Sequence, residues 1–233
     1  MAVEAVLRWQ HPRLDTLSHE RCVQLAEQTG VVHAVGLWWL HTAADQARSW
    51  RQRTGDALPP VAVDLTSSQA QDPDLVAKVA TVLAQIDLRP ADLELRMSLP
   101  AMRTATGAPV GADTEDNLRV LADMGVRTAI HDFACGAGEL ACLAELPVHA
   151  VRIAQPVARR VADDVSAIPA QVLRAVVPLV RSAGISVVAC AVDTEEQADW
   201  WREVGADRVV GALFGQPGPP QVVARMLGSP VAT

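Results

Sequence analysis

The chain has no tyrosine, only two phenylalanines and one lysine, Lys78, so 19 of its 20 basic residues are arginine. Any chemistry that depends on a lysine amine therefore has one candidate. Cysteine is sparse, and the four present (Cys22, Cys135, Cys142 and Cys190) form no CxxC pair. A zinc ribbon and a disulfide framework are excluded, and the four read as buried thiols. Positive charge is short as well. A formal net charge of -7 leaves no basic face for a sequence-independent grip on a nucleic acid polymer. A small anionic ligand is not excluded, because a pocket can be locally positive. No apolar run reaches the roughly 18 residues needed to cross a bilayer. No signal peptide opens the chain, so the expectation is a soluble cytoplasmic protein with no membrane partner. No low-complexity linker divides it, and residues 1–233 read as a single domain.

Half of the residues are hydrophobic, enough for a sizeable core. Short apolar runs predict strands at Val3 to Leu7, Val61 to Leu65, Leu93 to Met97, Arg127 to Ile130, Ala150 to Ile153, Ser186 to Ala189 and Asp207 to Val210. Such near-continuous runs suit strands covered on both faces. Helix signals fall between them. Ser18 is a cap for a helix running to Thr29 and closed by Gly30. A second helix carries Trp38, Trp39 and Trp50. Asp72-Pro73 reads as a cap with proline at the first helical position, and Asp113 as the cap of a helix ending near Gly125. Ile168, Val172, Leu173, Val176 and Val180 form an apolar stripe closed by Gly184. Thr194 with Gln197 makes a capping box. In each of the pairs Trp38-Trp39 and Trp200-Trp201, one ring is expected to pack inward and the other to face a neighbour or solvent. Strands alternating with helices over this length imply a βα barrel or an open doubly wound sheet, and the absence of a GxGxxG turn disfavours the dinucleotide-binding version.

In a βα barrel the chemistry sits at the C-terminal strand ends. Here these carry Asp64, Arg96, His131 with Asp132, Arg152 and Cys190, with Glu4 inside the first strand. The surrounding segments resemble the EAL domain family. Glu4-Ala5-Val6-Leu7-Arg8-Trp9 is similar to the EALLRW stretch that names it, and Val63-Asp64-Leu65-Thr66 to VNLS. Leu93-Glu94-Leu95-Arg96 is similar to the start of ELEITE, and Ile130-His131-Asp132-Phe133 with Gly136 and Gly138 to IDDFGTG. Val151-Arg152-Ile153-Ala154 is similar to LKID. Val187 through Gln197 resembles VVAEGVETEEQ, and Gly211 through Pro217 resembles GYLFGRP. The resemblance implies an α/β fold, a modified TIM-like (βα) barrel. It also implies a family activity, hydrolysis of cyclic di-GMP on two divalent metals held by carboxylates and an asparagine, with a lysine placing the water.

Against that pattern most of the site has changed. Glu4 is kept and the asparagine position holds Asp64. The next glutamate is Arg96, and the later one of the same stretch is Leu99. The paired aspartates are His131 and Asp132. The lysine is Arg152, with Ala154 for its companion aspartate. The glutamate of the following strand is Cys190, the loop glutamate after it is Asp193, and the glutamine before the closing glycine is Val210. Arg96 is the decisive change. It brings a permanent positive charge where two cations would sit, and like charges about 4 Å apart repel by several kcal/mol at intermediate dielectric. Arg152 is a poor general base for the same reason, and Lys78 lies on a helix away from the strand ends.

The resemblance therefore implies a catalytically inactive member acting as a signalling or protein-interaction module, with no catalytic residue and with magnesium or manganese binding lost. Arg8 and Gln69 match an arginine and a glutamine of the family and are the candidate contacts to cyclic di-GMP. The alternative is a weak or repurposed metal-dependent phosphodiesterase, since Glu4, Asp64, His131, Asp132 and Cys190 together suit zinc. Against it, Arg96 is expected to neutralise Glu4, Asp64 or Asp132, whereas Arg51 reads as an ordinary exposed arginine. Family members also carry a YQPI-like strand before the EAL strand. This first strand is missing or replaced here, so the barrel edge is expected to be truncated, closed by another segment, or open to an unknown protein partner or self-association.

Overall fold

The computed structural model of the chain describes residues 3–55, 58–98 and 112–228. Alternation builds the central strands. In β4 (Val61–Asp64) and β5 (Leu93–Ser98), Val61, Val63, Leu93, Leu95 and Met97 are buried. The period of two sends Asp64, Glu94 and Arg96 to the other face. With β1 (Val3–Glu4), β6 (Arg127–Phe133), β7 (Ala150–Ile153), β8 (Ser186–Ala189) and β9 (Arg208–Val209), these strands form one parallel sheet ordered β1-β4-β5-β6-β7-β8-β9. They are the seven predicted strands. The sheet curls into an open barrel: β1 and β7 lie four places apart, yet Arg152 on β7 reaches Glu4 on β1 at 2.8 Å. Among the described residues, β1 and β9 are the end strands, each laddered on one side only. A short hairpin that sequence reading did not anticipate, β2 (Trp9–His11) with β3 (Asp15–Leu17), follows β1. Asp15 takes the positive φ of 57° that its turn requires.

Helices cover the outer face: α1 (His19–Gln28), α2 (Val32–Thr54), α3 (Ser67–Ala70), α4 (Leu75–Ile86), α5 (Ala112–Asp123), α6 (Ala137–Glu145), α7 (Gln155–Asp163), α8 (Ile168–Ser182), α9 (Glu195–Val204) and α10 (Pro220–Gly228). Ser18 caps α1, and Thr194 with Gln197 forms a capping box on α9. No helix among the described residues is long and apolar enough to cross a membrane.

Several local expectations are corrected. Asp72-Pro73 does not open a helix. The Asp72 carboxylate accepts from Asp74 N (2.9 Å) and from Lys78 Nζ, and α4 starts at Leu75. Asp113 lies in the first turn of α5. Trp38 is exposed and Trp39 buried as expected, but Trp200 and Trp201 are both buried, their rings edge to face at 4.8 Å. Arg51 is not free: its Nη1 donates to buried Asp92 at 2.7 Å. On α8 the buried residues are Ala170, Leu173, Val177 and Val180, while Ile168 and Val172 of the predicted stripe face solvent. Leu99 lies outside the described residues.

Candidate functional site at the strand ends

The ladder between β4 and β5 pairs Asp64 with Arg96, so both side chains leave the same face of the sheet at the same level. Arg96 Nε donates to Asp64 Oδ1 and Arg96 Nη1 to Glu4 Oε1, each at 2.7 Å. Arg152 Nη1 donates to the same Glu4 oxygen at 2.8 Å. One carboxylate oxygen therefore serves two guanidiniums. The Arg96 side chain is only 5% exposed, against 25% for Asp64 and 21% for Glu4. Burial pulls its pKa down, but the charges and hydrogen bonds of Asp64 and Glu4 outweigh that and raise it above the ordinary arginine value. Arg96 is thus a fixed cation locked between two carboxylates.

The remaining rim residues surround this core. His131 Nδ1 and Asp132 Oδ2 lie 2.9 Å apart, and Asp132 holds a left-handed backbone, φ 57°. The hydrogen bond with His131 keeps the Asp132 carboxyl below its usual range despite partial burial, and Arg152 and Arg96 add to that. Cys190 is buried and its thiol donates to the Ile153 carbonyl at 3.0 Å. Burial pushes its pKa up while Arg152 opposes the shift. It is therefore held as a thiol, with its proton directed to the Ile153 carbonyl. Asp193 joins two loops: its Oδ1 accepts from Ala212 N, in the turn after β9, at 3.1 Å, and its own N–H donates to Gln197 Oε1. Arg8 is exposed just beyond the end of β1. Gln69 is 8% exposed and its amide is spent on backbone, with Oε1 accepting from Thr66 N and Nε2 donating to Val32 O, both at 2.9 Å. Its position is that of a capping residue that ties α3 to α2.

Three features escaped the sequence reading. His19 at the start of α1 sits beside the site. Its Nε2 is 3.8 Å from Asp64 Oδ2, its Nδ1 accepts from Leu7 N at 3.4 Å, and its ring meets Trp39. Burial lowers its pKa, with Asp64 opposing. Second, Glu94 is buried inside the barrel, 3.8 Å from Arg127 Nε and 3.9 Å from Arg208 Nη1. These are ion-pair rather than hydrogen-bond separations. Glu94 Oε2, Arg127 Nε and Arg208 Nη2 are buried without a hydrogen-bond partner. The signal for Glu94 was available, since it alternates with Leu93 and Leu95 and so must face the same way as Arg96. Third, a cavity of about 80 Å³ runs inside the barrel between Glu94 and Arg208 and the rim residues Glu4, Arg96 and Arg152.

The donor set does not fit a pair of hard divalent cations. Such ions need several anionic or neutral oxygens turned toward one point, and here Glu4 and Asp64 are turned onto a guanidinium. Among the described residues no three of His, Cys, Asp and Glu gather where they could hold a metal ion.

Comparison with known proteins agrees with this geometry at the level of the fold. The profile of the EAL domain family matches residues 1–217. The bifunctional diguanylate cyclase/cyclic di-GMP phosphodiesterase MucR of Pseudomonas aeruginosa is 32% identical over 222 residues, which make up 95% of this chain but 31% of that protein. An uncharacterized protein of Mycobacterium tuberculosis is 32% identical over 218 residues, 93% of this chain and 69% of its own length. The solved PaMucR phosphodiesterase in complex with c-di-GMP superposes with a TM-score of 0.83 at 32% identity, covering 94% of this chain and 86% of that one. The Xanthomonas citri FimX EAL domain in complex with c-diGMP superposes with a TM-score of 0.81, over 94% and 82% of the two chains. At 19% identity that likeness speaks for the fold alone.

Proposed function

The chain belongs to the EAL domain family, and from that premise we propose that it is a catalytically inactive member, a cytoplasmic signalling module that takes cyclic di-GMP without hydrolysing it. The observation that carries this reading is Arg96. Its guanidinium lies 2.7 Å from both Glu4 and Asp64, the two carboxylates the family pattern would turn toward metal. A buried, permanent cation there stands in the place of an exchangeable one. It neutralises the carboxylates but cannot bind water, lower its pKa or deliver hydroxide. Arg152 takes the lysine position, and its hydrogen bond to Glu4 gives it the same structural role. Neither Arg96 nor Arg152 can act as a general base beside a metal-bound water.

Retention of the ligand is supported by the cations that remain at the strand ends. Arg8 remains exposed at the rim. Arg152 is 28% exposed beside Glu4, and a phosphodiester oxygen is a fitting acceptor for a guanidinium so placed. The complex formed by PaMucR with the same dinucleotide makes it the ligand to test first. The test is calorimetric titration of the protein with cyclic di-GMP, with and without magnesium. The expected result is saturable binding whose affinity does not change with magnesium. Binding that appears only with magnesium overturns the non-metal reading, and no heat in either condition leaves a scaffold without the nucleotide.

A further inference from the structure

The barrel interior holds more positive charge than its carboxylates balance. Among the described residues, the guanidiniums of Arg96, Arg127, Arg152 and Arg208 meet only the carboxylates of Glu4, Asp64 and Glu94. Arg96 takes Asp64 and shares Glu4 Oε1 with Arg152. Glu94 is left for both Arg127 and Arg208 and bonds to neither. Its Oε2 stops 3.8 Å from Arg127 Nε and 3.9 Å from Arg208 Nη1. Arg208 Nη2 and Arg127 Nε are buried without a hydrogen-bond partner among the described residues. Asp132 does not supply the missing charge, because its side chain is 61% exposed and bonded to His131. Arg127 faces Glu94 across the β5–β6 ladder, so the Glu94 charge is met there and Arg208 carries the excess.

We propose that the cavity of about 80 Å³ inside the barrel is a binding site for one small monovalent inorganic anion, of which chloride is the simplest, held by Arg208. Arg208 lines this cavity together with Glu94 and the rim residues Glu4, Arg96 and Arg152, and small side chains such as Ala129 leave the space open. A water-sized particle needs about 10–15 Å³, so there is room for an ion and several waters. Waters alone would satisfy the unpaired N–H groups, but they bring no charge, and a buried charge without a counter-charge is costly. One excess positive charge calls for one negative charge. A cation is repelled by the four guanidiniums, and a multivalent anion would overshoot the balance and crowd Glu94. The guanidinium keeps its charge at every physiological pH and has donors to spare, which suits it to a permanent anion site. The positive interior of a protein of net charge -7 is thus local, and only a small ion enters it.

The test is thermal melting of the full chain in sodium chloride from about 1 to 100 mM, a range that brackets a millimolar Kd. Ionic strength is held constant with sodium gluconate, whose anion is too large for the cavity. Chloride should raise the melting temperature of the parent along a saturating curve, by about 3–6 °C once it exceeds Kd tenfold. Two variants should lose that rise for different reasons. Arg208→Met removes the excess charge, and Ala129→Val fills the space while leaving every charge in place. Should Arg208→Met fail to fold, Ala129→Val carries the comparison. Bromide soaked into crystals of the parent should give an anomalous peak within hydrogen-bonding reach of Arg208 Nη2. A parent that melts alike in chloride and gluconate overturns the proposal, as does a rise that persists in the variants. A bromide peak confined to the rim overturns it too, and a peak inside the barrel with no effect on melting shows binding at crystal concentration only and overturns it equally.

Discussion

Arg96 carries the argument at the scale of single residues, because its burial makes its partners indispensable. Removing one member of a buried ion pair leaves the others uncompensated and typically costs about 3–5 kcal/mol. Arg96→Ala is expected to lower stability by that order in a denaturant titration, whereas Arg48→Ala, at an exposed position on α2, should change it by less than about 0.5 kcal/mol. Magnesium should restore part of the loss in Arg96→Ala alone, since the released carboxylates of Glu4 and Asp64 can then bind an ion and binding to the native state stabilises it. Equal midpoints for the two variants, with no response to magnesium, would show that Arg96 does not hold the site.

A second residue-scale expectation follows from His149, whose Nδ1 accepts from Thr128 N at 3.2 Å. Burial and the Arg127 charge lower its pKa. The folded state therefore binds its proton less readily than the unfolded chain does. Stability from this group is fully present above the unfolded value of about 6.5 and is lost as pH falls toward the lower folded value. His149→Asn, which keeps an acceptor but does not titrate, should flatten the fall in melting temperature between pH 7 and 5.5. An unchanged pH profile would place the titration elsewhere. The identities of Glu4, Asp64, Arg96 and Arg152 as neighbours were legible from motif spacing, because each sits at a strand end. The commitment of Gln69 to backbone was not legible. A glutamine in a capping box and one at a binding site have the same sequence, and only burial separates them.

At the scale of elements, Gln69 connects two helices. Gly36 on α2 has no Cβ, and one built there would overlap Gln69 Nε2. Gly36→Ala should therefore expel the amide from its bonds to Val32 O and Thr66 N and cost about 1–3 kcal/mol, the range for leaving buried polar groups unpaired. Equilibrium unfolding measures this, and a stability equal to the parent would mean that the side chain relocates freely. The strands were legible because short apolar runs between glycine, proline and polar clusters leave few alternatives. The α8 face was not: the helix has apolar residues at helical spacing on both sides, and periodicity alone does not say which stripe meets the sheet. The β2–β3 hairpin escaped because its strands are three residues each and mostly exposed, with no alternation to detect.

At the scale of the whole molecule, the barrel is unusual in what fills it. Branched apolar side chains normally pack the interior. Here Glu4, Glu94, Arg96, Arg152 and Arg208 share with small apolar side chains such as Ala129 and Val188 the lining of a cavity of about 80 Å³, and the larger apolar core lies between the sheet and its helices. On the proposed reading, arginine–carboxylate pairs supply the charge balance that cations would otherwise provide at this site. Turnover decides whether that exchange has abolished hydrolysis. The protein is incubated with cyclic di-GMP in magnesium and in manganese, and linear dinucleotide is measured against a control without protein. None is expected above the control in either metal. Linear product that accumulates with time and disappears in Glu4→Ala would contradict it.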